Sequence, residues 1–261
     1  MYAGSLHCGM PLIDRLRVDV HDDGVALARA AADEAATILG TTAEQRGAAN
    51  AMFATGNSQL AFVDALVGST AGVPWRDVTV FHMDEYVGVG PDHPAGFQHW
   101  IRARIADRVP ARAVHYFDGL ADPDEECARY AGLLRAHPID LCVLGIGENG
   151  HLAFNDPPVA DFADPVDVKV VELDLACRRQ QVGEGHFPDV AAVPAHALTV
   201  TIPALLRAGA VIAVVPEERK APPVRAALLG PVTTACPASA LRTTGNVTLH
   251  LDRGSASMLG W

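Results

Sequence analysis

The stretch Ile139-Asp140-Leu141-Cys142-Val143-Leu144-Gly145-Ile146-Gly147-Glu148-Asn149-Gly150-His151-Leu152-Ala153-Phe154-Asn155-Asp156-Pro157 decides how this chain is read. Its first six residues are mostly apolar, the pattern of a strand buried on both faces of a parallel sheet. The chain then leaves the carboxyl end of that strand on a glycine-rich turn. There it presents one imidazole, His151, and one carboxylate, Asp156, which either orients the ring or acts separately. In open α/β sheets this edge is where ligands bind. Three glycines, one His and one Asp between Gly145 and Asp156 are more than a turn requires.

On both sides of this stretch, strand-like and helix-like segments alternate. Strands are predicted at Leu16–Val20, Ala48–Ala54, Val78–Met83, near Val114, at Leu141, and at Val168–Val171, Ala210–Val215 and Val247–Leu251. Helical spacing covers a segment capped by Asp22 or Asp23 and running to about Leu39. It recurs at Leu60–Val67, Phe97–Val109, Asp124–His137 (with Asp122 as cap) and about Arg219–Leu228. Pro157–Pro165 and Arg178–Pro194 read as loops, the second long and polar enough to form a lid or part of a binding site. This alternation predicts an α/β fold whose mainly parallel sheet is covered on both faces. With 261 residues, 49% of them apolar, a single domain over residues 1–261 is expected.

The formal charge of −11 argues against a general nucleic-acid binder but leaves room for a local cationic pocket. No apolar run reaches membrane-spanning length, and Met1–Met10 lacks the basic start and apolar block of a secretory signal. Cys8, Cys127, Cys142, Cys177 and Cys236 are dispersed without a CxxC pair. That fits reduced cytoplasmic thiols better than disulfides or a zinc site. His93 and His99 are too loosely spaced to argue for a metal.

Three further constellations carry polar chemistry. Phe53-Ala54-Thr55-Gly56-Asn57-Ser58 runs from a strand through a Gly turn into a helix, as an anion site does; an ordinary turn capped by Asn57 or Ser58 has the same pattern. Met83-Asp84-Glu85-Tyr86 puts two acids at a strand's carboxyl end, placed for acid–base work, or else a turn cap beside a solvated Glu85. Arg219-Lys220 follows the strand ending near Val215 and suits a phosphate, or else is a solvated pair. Imidazole is the side chain suited to exchanging protons near neutral pH, and His151 supplies one.

Taken in order, these segments resemble the glucosamine-6-phosphate deaminase family, which is related to the 6-phosphogluconolactonases. Asp84-Glu85-Tyr86-Val87-Gly88 with downstream His93-Pro94 is similar to the family's Asp-Glu-Tyr motif. Gly145 to Asn155 is similar to its signature loop, and Val193-Pro194 with Ala197-Leu198-Thr199-Val200 to a third block. The resemblance implies a modified doubly wound αβα fold and a cytoplasmic enzyme that converts glucosamine 6-phosphate to fructose 6-phosphate and ammonia without metal or organic cofactor. On that basis Asp84 is the base that moves a proton between C2 and C1. His151, with Asn149 and Asp156 as its relay, assists ring opening. Thr55, Gly56, Asn57, Ser58 and Lys220 hold the phosphate, and Glu85 and Gly147 join the substrate-binding set. A phosphorylated aminosugar is the partner expected, with no nucleic acid and no membrane. Self-association follows from the resemblance alone.

The chain also departs from the family pattern. Asn149 stands where the deaminases carry Asp, and Asp156 where they carry Glu. Glu184 falls where an Arg meets the phosphate, leaving Arg178 or Arg179 as replacement cations. An amide does not raise an imidazole's pKa as a carboxylate does. These departures keep two alternatives in view, a lactone hydrolase of the 6-phosphogluconolactonase type and a non-catalytic sugar-phosphate sensor.

Overall fold

The alternation folds into a layered α/β structure, and the computed structural model describes residues 12–68 and 72–260. Readings that rest on Met1–Met10 and Cys8 lie outside the described residues. In chain order the elements are β1 (Leu12–Ile13), β2 (Leu16–His21), α1 (Gly24–Arg46), β3 (Ala49–Phe53), α2 (Leu60–Val67), β4 (Val78–His82), β5 (Asp84–Tyr86), α3 (Phe97–Ile101) and β6 (Ala113–His115). They continue with α4 (Pro123–Ala136), β7 (Leu141–Leu144), β8 (Val168–Glu172), α5 (Leu175–Gly183), β9 (His196–Val200), α6 (Ile202–Leu206), β10 (Ala210–Val215), α7 (Ala221–Leu229) and β11 (Val247–Asp252).

The main sheet has the order β1-β2-β11-β10-β7-β3-β4-β6. β1 is antiparallel to β2, and the seven strands from β2 to β6 are all parallel. From the central pair the chain moves outward in opposite directions, through β3, β4 and β6 on one side and β7, β10 and β11 on the other. Such a divergence opens a crevice between neighbouring loops at the strands' carboxyl ends, and ligands use it.

Side chains alternate across the sheet, as the pleat requires. Cys142 and Leu144 join Val211, Ala213 and Val215 on one face, packed with Tyr130 and Leu134 of α4 and Val224 and Leu228 of α7. Leu141 and Val143 join Ile212 and Val214 on the other, against Leu27, Ala31, Ala35 and Leu39 of α1 and Phe62 and Leu66 of α2. The alanine stripe lets α1 lie close to the sheet. Asp23 caps it by accepting N–H bonds from Val25 and Ala26, and Gly47 ends it at φ 75°. The helix runs past the predicted end at Leu39 because Ala43 continues the buried stripe.

Three other expectations are corrected. β5, β9 and β8 form a second, antiparallel sheet that the sequence reading did not contain. β5 has only three residues and follows β4 after Met83 alone, so pattern gave no separate signal. Phe97–Val109 is α-helical to Ile101 and then widens into a π-turn over Arg102–Ala106. Arg178–Pro194 is not a loop throughout, since α5 extends to Gly183. Asp174 caps α5 by accepting the Cys177 N–H at 2.6 Å, and Cys177 and Gln181, one turn apart, are buried. Under the second sheet lies an aromatic cluster of Tyr86, Phe97, Phe154 and Phe187.

Asn155 ties β9 of the second sheet to the glycine loop. Fully buried, its amide donates to Leu152 O at 2.8 Å and to Val200 O at 2.9 Å. Asn155→Ala leaves both carbonyls without these donors and is expected to lower unfolding stability by about 2–4 kcal/mol. Chemical denaturation checks this; a loss below about 0.5 kcal/mol would show that the amide is not a tie.

Candidate active site

A cavity opens where β3, β4, β7 and β10 end. Thr55, Gly56 and Ser58 line it from the turn after β3, Asp84 from the start of β5, and Gly145, Gly147 and His151 from the loop after β7. Lys220 enters after β10, and Gln180, Gln181, Glu184 and His186 close the side formed by α5 and the chain beyond it.

Asp84 is 6% exposed, and its Oδ1 has no hydrogen-bond partner among the described residues. Burial raises its carboxyl well above the ordinary range, and the neighbouring Glu85 charge adds to the effect. The backbone beneath it is held by His82, which is fully buried. Its Nδ1 lies 2.9 Å from Asp84 O and its Nε2 accepts the Phe117 N–H at 3.0 Å, so Nδ1 carries the proton and donates to Asp84 O. Burial pushes this imidazole down to about 3 and keeps it neutral. Tyr130 Oη donates to His82 O at 2.7 Å. His82 was not singled out from sequence, where it reads as one more residue of an apolar strand.

Glu85 does not enter the cavity, contrary to its expected substrate-binding place. Its Oε1 accepts from the backbone N–H of Tyr86 at 2.9 Å and Phe97 at 3.0 Å, and its Oε2 from Gln98 at 2.6 Å. It therefore fastens the start of α3 to β5, because alternation on the strand sends consecutive side chains to opposite faces. Burial raises its carboxyl to about 7, against the pull of those three N–H groups.

The His151 ring is packed against Gly147. A Cβ on Gly147 would fall 2.2 Å from Cε1 of the ring, so only glycine admits the imidazole here. Nδ1 lies 2.8 Å from Asn149 Oδ1 and 2.9 Å from Asp156 Oδ1. Both are acceptors, so Nδ1 carries a proton, which in the neutral ring leaves Nε2 its lone pair. Asn149 Nδ2 donates to Asp156 Oδ1 at 2.9 Å, and Asn149 Oδ1 also accepts the His151 N–H at 3.1 Å. Asp156 is fully buried; burial raises its carboxyl, but the bonds from His151 and Asn149 outweigh this and hold it below the ordinary value. The neutral Asn149 thus bridges ring and carboxylate, and Asp156, though a methylene shorter than Glu, still reaches the ring. Ala153, which lines the cavity, has φ 50°, a strained conformation for a side chain with a Cβ.

At the other end of the cavity Lys220 is 3% exposed. Burial lowers its ammonium, as does the Arg219 charge, while Glu184 and Glu148 oppose them. Asn57 does not line the cavity; its Nδ2 donates to the backbone O of Glu184 at 3.3 Å. Neither Arg178 nor Arg179 supplies the replacement cation. Arg178 Nη2 donates to Val190 O at 2.6 Å and Val193 O at 3.0 Å and latches the chain after α5, and neither side chain lines the cavity. Gln180 and Gln181 were missed by sequence reasoning. The signal was the Asp174 cap followed by residues at helical spacing. Gln180 Oε1 accepts the Glu148 N–H at 3.1 Å, and Gln181 Oε1 the Tyr86 hydroxyl at 2.7 Å.

Among the described residues, two groups each place three metal-type donors within 4.8 Å of one another. In His151, Asp156 and Cys177, burial and Asp156 push the thiol far up, which keeps it protonated and a poor ligand. In Asp19, Glu34 and His250, the Arg17 guanidinium already supplies the cation, bonded to Glu34 and 3.3 Å from Asp19. Cys127, Cys142, Cys177 and Cys236 are unpaired. No helix among the described residues is long and apolar enough to cross a membrane.

Residues 22–164 match the family model described as glucosamine-6-phosphate isomerases/6-phosphogluconolactonase. A glucosamine-6-phosphate deaminase of Exiguobacterium sibiricum is 37% identical over 72% of this chain and 73% of its own length. One of Listeria innocua is 35% identical over 79% and 86%. A solved monomeric glucosamine-6-phosphate deaminase superposes with a TM-score of 0.83 at 28% identity, over 92% of this chain and 99% of that one. The 6-phosphogluconolactonase of Thermotoga maritima shares the fold, with a TM-score of 0.73 at 19% identity over 91% and 99%. With the parallel sheet, the buried Asp84 and the Gly147–His151 loop in place, the chain belongs to the glucosamine-6-phosphate isomerase/6-phosphogluconolactonase family.

Proposed function

We propose that this chain is a glucosamine-6-phosphate deaminase, converting glucosamine 6-phosphate and water to fructose 6-phosphate and ammonia. The observation that carries this reading is Asp84, a buried carboxyl facing the cavity with one oxygen unbonded and its affinity for a proton raised. Burying such a group costs stability, and a reaction that takes and returns a proton on carbon uses it. Lactone hydrolysis and ligand sensing give it no comparable task. Deaminases at 37% and 35% identity support the same assignment.

The proposed steps use the residues that the cavity brings together. His151, whose Nδ1–H is bound to Asn149 and Asp156, uses Nε2 to move a proton at the ring oxygen as the pyranose opens. Asp84 takes the proton from C2, giving an enolamine, and returns it to C1. The C2 imine that results is hydrolysed by water, and ammonia leaves. Lys220 and the turn from Thr55 to Ser58 hold the phosphate and orient the sugar, so that C1 and C2 lie over Asp84. A phosphorylated metabolite as substrate and dispersed, unpaired cysteines fit a cytoplasmic enzyme.

Coupled detection of ammonia and fructose 6-phosphate from glucosamine 6-phosphate tests the reaction. Asp84→Asn is expected to lower kcat by about 10²–10⁴-fold; turnover that survives would remove Asp84 as the base. The same variant also tests burial. Because the folded-state pKa of Asp84 is raised, its contribution to stability is present below the unfolded value, about 3.9, and is lost as pH rises through the folded one. The amide does not titrate, so the melting temperature of Asp84→Asn should gain on the wild type as pH increases above about 4. A constant difference across pH would contradict the raised pKa. Gly147→Ala displaces the His151 ring and is expected to reduce kcat about as much as His151→Ala; full activity in Gly147→Ala would show that the ring's place is not critical.

A further inference from the structure

Glu184 lies in the part of the cavity assigned above to the substrate's phosphate. Its Oε1 accepts from Arg219 Nη1 at 3.2 Å and Gln180 Nε2 at 3.0 Å. Its Oε2 is 3.5 Å from His186 Nε2 and 4.0 Å from where a Cβ on Gly56 would stand. The carboxylate therefore reaches the Thr55–Ser58 turn, the segment read as an anion cradle. Its side chain is 10% exposed.

Around it the positive charge is already matched. Arg219 also bonds Glu217 at 2.6 Å and Glu148 at 3.2 Å, so Arg219 and Lys220 are opposed by three carboxylates. Of these, Glu184 alone lines the cavity; Glu148 and Glu217 are about half exposed. Burial raises the Glu184 carboxyl, but His186, Gln180, Lys220 and Arg219 together bring it down to about 2, and it stays charged at any working pH. Two anions a few ångströms apart in a half-closed site repel strongly.

We propose that Glu184 is an internal anion that competes with the substrate's phosphate for Arg219 and Lys220, and so sets how tightly this site takes a phosphorylated ligand. The proposal rests on the reading of this end of the cavity as the phosphate site. For a sugar phosphate to bind well, the Glu184 carboxylate has to leave the cradle. The exchange falls to the Glu184 side chain, because the backbone there is held: the Glu184 N–H donates to Gln180 O at 2.9 Å, and Asn57 Nδ2 donates to Glu184 O at 3.3 Å.

The test is calorimetric titration of the full chain with inorganic phosphate, together with the KM for glucosamine 6-phosphate. Glu184→Gln keeps the shape and removes the charge; Glu184→Ala is the second variant should the amide disturb α5. Either is expected to tighten phosphate binding about tenfold or more and to lower KM in the same direction. The half-exposed control Glu148→Gln should change phosphate binding by about twofold or less. Unchanged or weakened phosphate binding in both Glu184 variants would overturn the proposal. So would a tightening that persists when Lys220→Ala is added, because the phosphate would then sit elsewhere. Tightening that depends on Lys220, with no ammonia released from glucosamine 6-phosphate, would uphold the competition and reject the deaminase reading instead.

Discussion

A carboxyl group kept from water with one oxygen unbonded is the constraint around which this structure is arranged. Left to itself, Asp84 would turn to solvent or acquire a donor. Neither happens, because the backbone on both sides of it is fixed. His82 grips the Asp84 carbonyl from below, and Tyr130 grips His82 in turn. On the far side Glu85 is locked to the start of α3 by the Phe97 and Gln98 N–H groups, and to β5 by that of Tyr86. The second sheet completes the arrangement by pairing Asp84 with Thr199. The pieces that hold Asp84 are buried and polar, and their partners include residues far away in sequence: Phe117 and Tyr130 for His82, and Thr199 for Asp84 itself.

That dependence on distant partners explains what the sequence did and did not disclose. Long apolar strands such as Ala210–Val215 were legible to the residue, because burial on both faces forces a continuous apolar run. Asp23, Asp122 and the Leu60–Val67 helix were legible because capping and helical spacing are local. β5 was not, since three residues cannot show a period, and its pairing with β9 spans more than a hundred residues. Asp84, His151 and Lys220, which line one cavity, could be singled out because their residue types are chemically marked and follow strands. Glu85 was assigned to the substrate because a carboxylate beside a carboxylate carries no sign of which face it takes. His82 and the Gln180–Gln181 pair were missed because their roles exist only through contacts with other elements.

The relay behind His151 shows how a departure in sequence can leave geometry intact. Losing an acid at Asn149 removes a charge, but the amide both accepts from the ring and its backbone and donates to Asp156. The shorter Asp156 compensates for its length by being fully buried against the ring. The tautomer of His151 is therefore set by two acceptors, of which one is neutral.

The placement of Asp174 has a consequence of a different kind. One of its oxygens caps α5 through the Cys177 N–H, and the other lies 3.4 Å from the Asn149 amide. The helix that carries Gln180 and leads into Glu184 is thus anchored at its first turn to the proton relay, while its last turn faces the opposite end of the cavity. Along it Gln180 accepts the Glu148 N–H of the glycine loop and Gln181 accepts the Tyr86 hydroxyl of β5, so one helix touches both segments that flank the cavity. The two ends of the cavity therefore share one support, and a displacement of this helix moves both together.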